Sequence, residues 1–275
     1  MIEARPTLVS APPAIETIGL TRRFGETLAV DDLNLRVEAD GVFGLLGPNG
    51  AGKTTTIKML ITLLPPTSGT ATVAGHAIDR DPAAVRIRIG YVPQLVSADG
   101  ALTARENLLL SARLYRLPSA ERTERISDAL AFMGLAEAAD RLVRTFSGGM
   151  IRRLEIAQAV LHRPPVLFLD EPTVGLDPVA RAAVWDHIRE LRAEHGTTIV
   201  LTTHYLEEAD ALCDRIALMN RGRLVADGTP GELKAAAGPG ATLDDVFAAL
   251  TIDAPETGGS FRELGRSRRN ARRLG

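Results

Sequence analysis

The chain has almost no cysteine: Cys213 is the single one in 275 residues. An internal disulfide framework is therefore excluded, and the usage fits a reducing cytosol. Long apolar runs are missing as well. No stretch approaches the roughly 18 consecutive apolar residues of a membrane-spanning helix. Work at a membrane would then need a partner. The opening residues, MIEARPTLVSAPP, hold no apolar segment and carry Glu3, Arg5 and Pro6, so they are not read as a signal peptide. Charge of one sign is not in excess either. The net charge of -2 gives no global signal for nucleic acid and no acidic bias. What is present is apolar content: at 45% hydrophobic, the chain can bury a substantial core, in one domain or in one domain with a subdomain.

The most informative stretch is LLGPNGAGKTTT. Gly47, Pro48, Asn49, Gly50, Ala51, Gly52, Lys53 and Thr54 form the phosphate-loop pattern G-x-x-x-x-G-K-[ST], with Thr55 next. Glycines at 47, 50 and 52 are expected to free the backbone, so that its N–H groups turn inward as an anion nest. A helix starting at Lys53 would offer its positive end to the same phosphates. Lys53 supplies an ammonium for them, and the Thr54 hydroxyl can ligate Mg²⁺. The pattern needs a strand before it and a helix after it. Residues 42–46 are expected as a buried strand and 54–63 as a helix, stopped by Pro65 and Pro66.

Around this stretch the chain alternates. Residues 1–13 look like a Pro-rich lead-in. Strands are expected over 15–20 and 33–37, around a turn at Phe24-Gly25. The ordinary reading of Phe24 is a core aromatic. Further strands are expected over 69–74 and 87–92, the second leading to Gln94. Residues 99–135 change to helical periodicity, an insertion of two or three helices. A loop at Phe146, Ser147, Gly148, Gly149 and Met150 opens a helix over 151–162. The apolar run 166–169 fits a central parallel strand and ends in Asp170-Glu171. Asp177-Pro178 fits an N-cap with proline at the first helical position. A strand over 197–202 runs toward His204. A helix, a strand and a hairpin turning near Asn220 follow. Thr229 and Thr242 each open a capping box, the second before an amphipathic helix with Leu243, Val246, Phe247 and Leu250 on one side. Residues 262–275 hold six arginines and one glutamate, read first as a solvated tail.

Strands alternating with helices imply a parallel α/β sheet, which binds ligands at the carboxyl ends of its strands. Gln94, Asp170-Glu171 and His204 all stand at such ends. Asp170 suits a carboxylate holding Mg²⁺, since a buried carboxylate needs a partner. Glu171 would point elsewhere, toward a terminal phosphate, and could polarise an attacking water. An Asp-Glu pair alone would ordinarily be a solvated turn, and His204 alone a structural histidine. The other histidines show no metal-ligand spacing.

Taken together, residues 15–228 resemble the nucleotide-binding subunit of an ATP-binding-cassette transporter. GPNGAGKT matches the Walker A loop, YVPQ the Q-loop with Gln94, and FSGGM the family signature. VLFLDEP matches Walker B, VGLD the D-loop with Asp177, and TTH the switch histidine His204. Phe24 stands where the family stacks an aromatic on adenine. SGGM followed by Ile151-Arg152-Arg153, together with TVGLDP and LDDVFAAL, is similar to ATPases of the daunorubicin-resistance type. These pair with separate permeases.

The resemblance implies a P-loop NTPase core with a parallel sheet, an N-terminal antiparallel β part and a helical signature subdomain over about 97–160. The ATPase domain would span 14–228, with C-terminal helices over 229–252 and an arginine-rich tail over 253–275. It implies catalytic roles for Glu171, His204, Lys53 and Gln94, and Mg²⁺ held by Thr54, Gln94 and Asp170. ATP would lie between two copies paired head to tail. Ser147, Gly148, Gly149 and Asp177 of one copy would face the phosphates held by the other. The implied setting is cytoplasmic, peripheral on the inner face of the cell membrane, with an integral-membrane permease as partner. Efflux of a drug-like or lipid-like molecule would be the work. The rivals are a soluble ATPase of DNA repair or translation, an importer subunit, and a module that senses ATP without turnover. Met150 and Phe146 depart from the usual glutamine and leucine of the signature.

Overall fold

The computed structural model describes residues 12–252. The expected lead-in, except its last two residues, and the arginine-rich tail lie outside the described residues.

The first layer is antiparallel. Strands β1 (Ile15–Phe24) and β2 (Thr27–Val37) form a hairpin, and β4 (Ser68–Val73) and β5 (His76–Ala77) extend it in the order β2-β1-β4-β5. The second layer is a six-stranded sheet of β3 (Val42–Leu46), β6 (Ile89–Val92), β7 (Val166–Asp170), β8 (Thr198–Thr203), β9 (Arg215–Asn220) and β10 (Arg223–Gly228). Its order is β10-β9-β3-β8-β7-β6, parallel throughout except for the β9–β10 hairpin at one edge.

Successive side chains of a strand point to opposite faces. In β3, Phe43 and Leu45 therefore pack toward the antiparallel layer, with Phe168 and Val200 of neighbouring strands. Val42 and Leu46 pack the other way, with Leu167, Leu169, Ile199 and Leu201. Helix α1 (Lys53–Leu60) fills the first interface, with Ile57, Met59 and Leu60 buried. Helices α5 (Gly148–Val160), α6 (Pro178–His195) and α7 (Leu206–Leu212) cover the second. Leu154, Ala157, Val184, Ile188 and Leu191 are fully buried there, on the faces that their spacing indicated.

The insertion between β6 and β7 contains α3 (Ala104–Leu114) and α4 (Ser119–Phe132), then α5. Helix α3 starts on a capping box between Thr103 and Glu106. The chain closes with α8 (Pro230–Ala237) and α9 (Leu243–Ile252), which seats Leu243, Val246 and Leu250 in the core. The boxes at Thr229 and Thr242 form as expected.

Three expectations shift. Helix α1 stops at Leu60 rather than 63, because Thr62 turns the chain through a left-handed φ of 64°. Residue 87 ends a helix, α2 (Pro82–Ile87), and does not open a strand. The start of α2 was legible in Asp81-Pro82, which puts proline in the first turn. Phe24 is not a core aromatic. It is 45% exposed at the tip of the β1–β2 hairpin, with the Arg22 guanidinium 4.6 Å from its ring.

Candidate nucleotide site

Parallel strands end at one edge, so β3, β8, β7 and β6 deliver their following residues side by side. After β3 comes the phosphate loop. Gly50 and Gly52 carry φ values of 81° and 104°, as the loop requires. Gly47 is needed for a different reason. It is not among the positive-φ glycines; instead, a Cβ there would meet the Met219 carbonyl oxygen at 2.3 Å. Pro48 accepts from the Ala51 amide, and Thr56 N–H bonds back to Gly52 to start α1. Ala51 is buried, Asn49 is exposed, and Thr55 lies part-buried in the first turn of α1.

Lys53 is 5% exposed and donates to the carbonyls of Gly47 and Pro48, at 2.8 and 3.2 Å. Burial pushes its ammonium below the usual lysine value, while Glu171 and Asp170 pull it back up. Asp170, at the end of β7, is buried opposite Thr202 of β8. The Thr202 hydroxyl donates to its Oδ1, and the Thr54 hydroxyl lies 3.4 Å from the same oxygen. A carboxylate oxygen beside a hydroxyl is a donor set that suits a hard cation such as Mg²⁺. Burial and the Asp170 charge together push the phenol of neighbouring Tyr91 up to about 12.

Glu171 turns away from that pair. Its φ is 49°, in the left-handed region, and its N–H is held by Thr202. Its carboxylate takes a hydrogen bond from Gln94 Nε2 at 3.0 Å. His204 Nδ1 stands 3.3 Å from it, and Lys53 Nζ 3.9 Å. Lys53, Thr54, Gln94, Asp170, Glu171 and His204, from four stretches of chain each more than 30 residues from the next, thus meet in one place.

The remaining candidates form a separate cluster. Ser147 caps α5 and accepts from the Met150 amide. Asp177 caps α6, accepting from the amides of Val179 and Ala180. Gly149 packs against α6: a Cβ there would lie 2.8 Å from that of Ala180. At Gly148 a Cβ would make only an ordinary contact with Leu176, so packing within the chain does not require that glycine. Met150 is partly buried against the core, which accounts for an apolar residue there.

These motifs and this sheet agree with comparisons with known proteins. The profile of the family described as ABC transporter matches residues 30–174. The chain is 52% identical to the daunorubicin/doxorubicin resistance ATP-binding protein DrrA of Streptomyces peucetius, over 82% of this chain and 68% of that protein. The chain belongs to the ABC transporter family. It is 44% identical to the Nod factor export ATP-binding protein I of Ralstonia nicotianae, over 82% of this chain and 70% of that one. A solved structure of the ATP binding subunit of an ABC transporter superposes with a TM-score of 0.77 at 32% identity, covering 86% of this chain and 99% of that one. The chain is thus an ATP-binding subunit of the family that hydrolyses ATP in transport. Among the described residues, no helix is long and apolar enough to cross a membrane.

Sequence reasoning missed Thr202. Its hydroxyl links Asp170 to the Glu171 amide, and its only sequence signal was a threonine two residues before His204 on a strand.

Proposed function

We propose that this chain powers efflux of a drug-like or lipid-like molecule through a separate membrane permease, from the cytoplasmic face, as a head-to-tail pair of ATPase domains. The convergence of Lys53, Gln94 and His204 on the Glu171 carboxylate carries the reading. Phosphoryl transfer to water is mostly positioning and neutralisation of charge. Lys53 binds the β- and γ-phosphates, exchanging loop carbonyls for phosphate oxygens. Phe24 stacks on the adenine. Thr54, Asp170 and the Gln94 side-chain oxygen would hold Mg²⁺, which would supply neutralisation of phosphate charge. Glu171 orients the attacking water, and Gln94 and His204 fix the carboxylate that does so.

Ser147 supports the trans arrangement. Its oxygen accepts from Met150 and so keeps its own O–H for donation to a phosphate. The bare N–H groups at the start of α5 add an anion site. Gly148, which the chain's own packing does not require, leaves room for that approach. Division into a core, a helical insertion and C-terminal helices follows the sequence boundaries given above.

The test uses Glu171→Gln expressed in the native cells and held in ATP. The variant is recovered from detergent-solubilised membranes and its companions identified. A co-purifying polytopic protein, with spans of roughly 20 apolar residues each, is the expected result. Recovery from the soluble fraction alone, or with ribosomes or DNA, would overturn the exporter reading.

A further inference from the structure

Gln94 lies in an exposed connection after β6, yet its side chain must meet Glu171 within hydrogen-bond distance. A loop with no internal repeat of hydrogen bonds does not by itself hold such a position. The structure shows what does. Arg152, on the second turn of α5 and 6% exposed, donates to the Pro93 carbonyl at 2.8 Å and to the Gln94 carbonyl at 3.3 Å. Glu155, three residues on and 3% exposed, accepts from both the amide and the hydroxyl of Ser97, the hydroxyl at 2.9 Å. Its other oxygen stands 3.2 Å from the Arg152 guanidinium. One helical turn thus grips both ends of the 93–97 segment, and Leu95 and Val96 stand exposed between the grips.

Stability alone is a weak reason for such a pair. Taking two charges out of water costs as much as their attraction returns, and apolar residues of similar volume often serve a core better. Buried charges are justified when they find oriented partners. Here these are the Pro93 and Gln94 carbonyls for Arg152 and the Ser97 amide and hydroxyl for Oε1 of Glu155, whose Oε2 has no hydrogen bond and only the Arg152 charge beside it. The same helix carries Ser147, Gly148 and Gly149 at its N-terminus. A rigid α5 therefore ties the place of Gln94 to the place of the signature.

We infer that Arg152 and Glu155 are positioning residues for hydrolysis, acting through Gln94 by clamping the segment that carries it. The inference rests on the proposed roles of Gln94 and Glu171. If the clamp acts through Gln94, removing it matters only while Gln94 is present.

The test is a double-mutant cycle on the ATPase rate of the full chain. Arg152→Met is expected to lower kcat about tenfold with KM for ATP changed by less than about twofold, the split that marks lost positioning rather than lost binding. In the Gln94→Ala background the same change should lower kcat by less than about twofold. Arg152→Lys, which keeps a charged donor for the Pro93 carbonyl, should restore part of the rate. Losses that multiply in the double variant would overturn the clamp while leaving Gln94 in its role. A Gln94→Ala variant with full kcat would overturn the role of Gln94 itself, and the clamp with it. Should Arg152→Met fail to fold, Glu155→Gln and Ser97→Ala put the other grip to the same criterion.

Discussion

His204 Nδ1 stands 3.3 Å from Oε1 of Glu171, although one residue follows β8 and the other follows β7. The histidine ring also lies 4.3 Å from that of Tyr205, over which the Arg181 guanidinium sits at 4.6 Å. The carboxylate is therefore flanked on one side by the imidazole, next to a tyrosine ring that Arg181 of α6 covers, and takes a hydrogen bond from Gln94 on the other.

A carboxylate so held should be sensitive to both its own charge and its support. Glu171→Gln is expected to bind ATP, accumulate as a dimer and lose at least about 100-fold in kcat, the range for a general base. His204→Ala should lose less, and His204→Gln, which keeps an amide donor, less again. Steady-state ATPase assays and gel filtration in ATP check this. Full turnover by Glu171→Gln would remove Glu171 from its place in the reaction.

The contact of β6 with α5 should be intolerant of added volume. A Cβ on Gly90 would meet the Ala159 carbonyl oxygen at 2.4 Å and Leu167 Cδ1 at 2.9 Å. Gly90→Ala is expected to destabilise the fold by about 1–3 kcal/mol through overpacking. Urea unfolding measures it, and a midpoint equal to that of the parent chain would contradict the close approach.

Stability should also fall in mild acid because of His162. Its ring stacks on Tyr115 at 3.6 Å, and its Nε2 lies 3.1 Å from the Ile89 carbonyl oxygen. Burial pushes the imidazole down to about 4. Between that value and the ordinary one near 6.5, the unfolded chain binds a proton that the folded chain refuses. The contribution is therefore complete above about pH 6.5 and lost as pH falls through it, reaching about 2 kcal/mol by pH 5. His162→Phe should keep the stack and remove that part of the slope. Unfolding midpoints at pH 7 and pH 5 decide, and an identical slope in the two proteins would reject the assignment.

The features legible in the sequence were those that act within a few residues. The phosphate loop, the start of α1 at Lys53, the Asp177 cap of α6 and the boxes at Thr229 and Thr242 are closed by bonds within one turn, so local spacing determines them. The apolar run ending in Asp170 likewise announced a central strand. Helix α2 was missed because it is short, and Phe24 was misplaced because exposure at a hairpin tip leaves no mark on local pattern.

Sheet order was decided only in three dimensions. Strand β8 lies between β3 and β7, and this brings Thr202 to Asp170 and His204 to Glu171. No spacing encodes that order, since it depends on which faces bury together. The same holds for Arg152 and Glu155. On the sequence they were basic and acidic residues of a helix, with nothing to say whether they faced water. Packing of α5 on β6 buried them, and a buried charge must find partners, which here are the carbonyls and the serine around Gln94.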